Sequence, residues 1–230
     1  MQLNISIKKP FWQIVDVSSL VETNKKFISA LEISIIFGFA MLLVWIISPL
    51  NNTLLTTAAA LLALAFTFIS HYYHWESLSS LGLRWDYFRP AFKNCGILTL
   101  GIFSILLSTE LCLGTLQLGW ILFPKVLVYF FWALFQQFFF TVYFVTRLRD
   151  IFPSRAKIAL ICALLFSLIH LPNPALMIAT LVCGFLWALI YYSYPNLYLI
   201  ALSHAILAVL FKYSLPNILI HGMKVGPGCF

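Results

Sequence analysis

The stretch FPKVLVYFFWALFQQFFFTVYF, residues 123–144, decides how this 230-residue chain is read. It is an apolar run long enough to cross a bilayer, where about 20 residues of helix span the hydrocarbon core. Two adjacent amides, Gln136 and Gln137, sit in its middle. Hydrocarbon offers a side-chain amide no hydrogen-bond partner, so polar groups at that depth must be satisfied by the protein or used by it. Inside a spanning helix they mark a candidate site, though amides carry less weight than charges.

The composition extends this reading to the whole chain. Hydrophobic residues make up 62% of it and charged residues only 9%, against roughly a quarter charged in soluble domains. The class is all-α: one polytopic membrane bundle of about seven helices, since each span needs ~20 residues. The expected spans are Phe27–Ile47, Leu54–Ser70, Cys95–Leu113, the glutamine run Phe123–Phe144, Ala156–Leu171, Ala175–Tyr192 and Leu197–Phe211. Residues 1–26 read as a cytoplasmic or interfacial segment anchored by Phe11 and Trp12. Residues 27–213 form the membrane domain, and 214–230 a tail. The polar stretch from His71 to Asn94 mixes Leu81, Leu83, Trp85 and Phe88 with Arg84, Asp86 and Arg89, the pattern of an amphipathic segment on the membrane face.

The net charge of +7 is a topology signal and does not argue for nucleic acid. With the N-terminus cytoplasmic, Lys8, Lys9, Lys25, Lys26, Arg84, Arg89, Lys93, Arg147, Arg149, Arg155 and Lys157 fall on the cytoplasmic side, and only Lys125, Lys212 and Lys224 face outward. That is the bias the positive-inside rule expects. The five cysteines are isolated and read as packing residues.

Two further polar intrusions follow the glutamines. From the ~1.5 Å rise per residue, Gln136 lies roughly 16 Å into its span, His204 roughly 12 Å and His170 roughly 20 Å, so ordinary tilts allow one shared cavity. Taken singly, each has a plainer reading: a histidine satisfied by a neighbouring carbonyl, or glutamines tying helices together for roughly a kcal/mol or less. His71 and His74, at a helix end, read as interfacial.

The order of the local sequences adds to this. Phe166-Ser-Leu-Ile-His170 fits an FxxxH pattern, and Leu-Ser-His204-Ala-Ile-Leu-Ala208 falls where a later histidine motif belongs. Upstream, Gln136-Gln137-Phe-Phe-Phe140-Thr141 takes the position of an EExxxR motif. In this order the chain resembles the CPBP or Abi family of intramembrane proteases, which includes type II CaaX prenyl endopeptidases and bacteriocin-processing enzymes. Ser80-Leu-Gly-Leu-Arg84 resembles the segment ahead of the family core, so the resemblance runs from about 80 to 211. It implies an intramembrane endopeptidase acting on a membrane-associated peptide or protein, with catalytic positions at Gln136, Gln137, His170 and His204. In the family the first glutamate activates water, the second supports the site, and two histidines with an asparagine bind the water and the oxyanion.

The chain resembles a divergent branch of that family. Gln136 and Gln137 stand where the family has glutamates, Thr141 where it has arginine, and Ala208 where it has the last asparagine. Asn173 and Thr141 are candidates for oxyanion or substrate support. A glutamine keeps the shape of a glutamate but cannot act as a general base, so a neutral histidine must take that role. Zinc, the metal such a site could hold, would need three protein ligands, and only two histidines converge, so zinc is possible but not favoured and no cofactor is expected. The alternative is a catalytically inactive family member that binds a membrane peptide or protein.

Overall fold

The computed structural model describes residues 17–113, 119 and 122–229. Its regular elements are all helical, with no strand among the described residues. Helix α1 (Val17–Leu42) widens into a π turn and ends in a 3-10 turn at Leu50; α2 (Thr53–Tyr73) returns, and α3 (Phe88–Leu113) follows a run of turns. The glutamine run forms α4 (Leu122–Gln137), passes through a π-helical stretch, Phe138–Tyr143, and continues as α5 (Phe144–Ile151). Then come α6 (Arg155–Leu168), α7 (Pro174–Ser193), α8 (Leu197–Ser214) and the short α9 (Asn217–Ile220). Six helical stretches are long and apolar enough to cross a membrane; α6, with 14 residues, is the shorter seventh. This is the polytopic all-α bundle expected.

Local chemistry sets most boundaries. Asn52, Asn173 and Asn196 each accept a backbone N–H from the first turn of the helix they open, at 3.0–3.1 Å, the preferred chemistry of an N-cap. Helix α1 starts at Val17, ten residues before the expected span. Hydropathy marks where a helix enters lipid, whereas the backbone ladder continues through the polar turn, where Lys26 pairs with Glu22 at 2.6 Å. The anchors expected at Phe11 and Trp12 lie outside the described residues.

The stretch read as an amphipathic segment, 71–94, takes no single form: its ends belong to α2 and α3, and its middle, 74–87, forms no helix. That middle is a chain of turns pinned to the α7–α8 corner: Leu197 N–H donates to Gly82 O at 3.0 Å, Asn196 Nδ2 to Arg84 O at 3.0 Å, and Tyr191 Oη to Ser80 O at 3.2 Å. Leu81 is buried beneath it. Gly82 has φ +77°, and a Cβ there would lie 2.8 Å from the Tyr191 ring, so only glycine fits this approach.

Arg147 is the centre of an ionic network that includes His71, His74 and Glu32. Arg147 turns inward and is fully buried. Its Nη1 donates to Glu76 Oε1 at 2.7 Å, its Nη2 to Ser70 Oγ at 2.9 Å, and its Nε lies 2.7 Å from Glu32 Oε2. His71 Nδ1 contacts Glu76, and His74 Nε2 lies 3.2 Å from Glu32 Oε2. Two carboxylates around one guanidinium satisfy it away from water, which a cation ending a helix at the interface does not need. The network fastens α1 and α2 to α5.

Candidate functional site

The site is built where α6 stops short. Fourteen residues rise only about 21 Å, so the turn 169–173 ends inside the thickness of the bundle. Irregular backbone at that depth is tolerated only when protein covers it, and the tail supplies the cover. Gly226 N–H donates to Leu171 O at 2.7 Å, and Asn173 Nδ2 donates to Ile220 O at 2.8 Å and Lys224 O at 3.0 Å. Asn173 is thus fully committed as a helix cap and tail anchor, and it lines neither cavity of the site. The oxyanion role expected of it has no free donor.

Gln136, His170 and His204 do come together. All three line a cavity of about 560 Å³ between α3, α4, α7, α8 and the tail, whose walls include Tyr129, Trp132 and Trp187. Gln136 and His170 also line a second cavity, of about 130 Å³, toward α1 and α2. They therefore form a polar partition between two apolar spaces. Among the described residues no Asp or Glu lines either one. Glu32 sits in the Arg147 network, and Glu110, although buried in α3, is not part of the cavity wall.

Each imidazole is held by its Nδ1. His170 Nδ1 lies 2.8 Å from the Phe166 carbonyl oxygen, which can only accept, so Nδ1 carries the proton and Nε2 keeps a lone pair. His204 Nδ1 lies 3.1 Å from Gln137 Nε2, an amide donor, so this imidazole accepts at Nδ1 and carries its proton at Nε2. Gln137 Oε1 in turn accepts from Thr141 Oγ1 at 2.5 Å. Gln137 and Thr141 are buried behind the wall and do not reach the cavity. Gln136 Oε1 is buried with no hydrogen-bond partner among the described residues.

Aromatic rings fix these orientations. Phe166 meets His170 edge-on at 5.1 Å and His204 at 5.9 Å, and stacks on Phe140 at 5.2 Å. Trp187 lies against His204 at 4.8 Å, its own Nε1 held by Ser203 Oγ at 3.0 Å. Tyr129, Trp187 and Ser203 were not singled out from the sequence, because one more aromatic or serine in such a helix carries no signal. The π stretch that follows Gln137 is a feature often found at functional sites.

Zinc does not fit this donor set. Among the described residues no three His, Cys, Asp or Glu side chains stand close enough to hold one metal ion, whereas zinc needs three protein ligands.

Fold and site thus define a multi-pass membrane protein with a histidine–amide centre buried in an apolar bundle. Residues 117–210 match the family described as type II CAAX prenyl endopeptidase Rce1-like, so over this stretch the chain is similar to that family. No curated protein and no solved structure matches the chain.

Proposed function

We propose that this protein is an intramembrane endopeptidase that uses a histidine where its family uses a carboxylate, cleaving a membrane-associated peptide or protein. The observation that carries the reading is the complementary pair of imidazoles on one cavity wall. His170 offers a lone pair at Nε2, and His204 offers a proton at Nε2. His170 Nε2 takes a proton from water as its oxygen attacks the scissile carbonyl. His204 Nε2–H and the Gln136 amide N–H donate to the oxyanion. The imidazolium of His170 then protonates the leaving amine, so the proton taken in the first step is returned in the second. General-base catalysis contributes roughly 10²–10⁴-fold, and each oxyanion donor roughly 10²–10³-fold. Gln136 Oε1, otherwise unpartnered, accepts a backbone N–H of the substrate. In this reading the N-terminus is cytoplasmic and no metal takes part.

The test is cleavage of membrane-anchored reporter peptides by the purified protein in lipid. His170→Ala is expected to lower turnover by at least about 100-fold, and Gln136→Glu to raise it by restoring a carboxylate base. Unchanged cleavage by His170→Ala would overturn the proposal. The lack of any carboxylate on the cavity wall favours a second reading, a non-cleaving binder of membrane peptides. That reading takes over if neither wild type nor folded Gln136→Glu cleaves any reporter while a peptide still binds.

A further inference from the structure

We infer that Thr141 is a positioning residue which, through Gln137, fixes the tautomer of His204 and makes it a donor toward the cavity. The inference rests on the peptidase reading for its purpose, but its geometry stands apart from any cleavage. The relay is continuous and buried: Thr141 Oγ1–H donates to Gln137 Oε1, and Gln137 Nε2–H donates to His204 Nδ1. Thr141 and Gln137 are one helical turn apart, four residues along the π-widened segment, which lets the hydroxyl reach a side-chain oxygen.

An amide has one donor end and one acceptor end, so its direction decides the histidine. With the hydroxyl holding Oε1, the NH₂ faces Nδ1, and the ring proton must sit on Nε2. A carboxylate at 137 would accept from both neighbours and draw the proton to Nδ1, leaving Nε2 as an acceptor. Glutamine at 137 therefore reverses the polarity that His204 presents to the cavity. The packing of Trp187, Phe166 and Tyr129 around the ring keeps it from flipping to escape this choice.

Nitrogen NMR of the full chain in lipid, with ¹⁵N-histidine and the His204 signal identified by its loss in His204→Gln, reads the tautomer directly. Wild type is expected to show a pyridine-type Nδ1 and a pyrrole-type Nε2. Thr141→Ser should keep that pattern, the near-isosteric Thr141→Val should give mixed tautomers, and Gln137→Glu should move the proton to Nδ1 or protonate both nitrogens. A proton on Nδ1 in wild type, or an unchanged pattern in Thr141→Val, would overturn the relay. The predicted tautomer without peptide cleavage would leave the relay standing and count only against the peptidase reading. Cleavage with the opposite tautomer would do the reverse.

Discussion

At the scale of single residues, the site depends on groups whose two ends have separate duties. Asn173 caps α7 with its oxygen and holds the tail with its nitrogen. Phe166 gives its carbonyl to His170 and its ring to both imidazoles. Gly226 shows how little room such packing leaves. Its φ is +61°, and a Cβ there would lie 2.8 Å from Val44 O. Gly226→Ala therefore adds left-handed strain of about 1–3 kcal/mol and pushes the tail from the α6–α7 turn. We expect a lower melting temperature in detergent micelles and readier proteolysis of residues after Ser214. A variant that melts like wild type would show that the close approach is not made. His170 and His204 stood out in the sequence because histidine is rare in an apolar run, and both line one cavity. Asn173 was legible as polar but not as an anchor for a tail carbonyl 47 residues away.

At the scale of elements, α1, α2 and α5 are joined by charge and not only by packing. Arg147 gathers Glu32 and Glu76, and Lys25 Nζ reaches Asp150 Oδ1 at 2.6 Å on the same side. Burial pushes the Glu76 carboxyl up, but hydrogen bonds and charge from His71 and Arg147 outweigh it and hold the group below its ordinary 4.5. A carboxyl depressed in the folded state contributes stability that is fully present above the ordinary value and is lost as pH falls through the lower, folded one. Thermal stability is thus expected to decline on acidification below about pH 4.5. Glu76→Gln should be less stable at neutral pH and should flatten that part of the profile. An identical acid profile in the variant would assign the loss to other carboxyls. The turns at 74–87 that bring Glu76 inward were not readable from hydropathy. Alternating apolar and charged residues suit an amphipathic helix and a pinned loop equally well.

At the scale of the whole molecule, the helices and a returning tail enclose a polar partition between two apolar cavities. The proposed orientation puts the 74–87 turns in the cytoplasm and α9 on the outer side. In a variant without native cysteines, Ser79→Cys should react with an impermeant thiol reagent only after the membrane is opened, and Asn217→Cys should react in intact cells. The reverse pattern would invert the topology. Composition and hydropathy by themselves determined that the chain is a helical membrane bundle, roughly where its spans lie, and that polar groups stand in three of them. Those properties are local, because a spanning helix needs about 20 predominantly apolar residues in sequence. Motif order pointed to the family. Only the tertiary structure decided which polar groups meet. It sent Gln136 to the cavity and Gln137 behind it, turned Arg147 inward, and covered a short α6 with the tail. The reason is rotational: adjacent residues point about 100° apart around a helix, and the face each presents is fixed by the packing of partners distant in sequence.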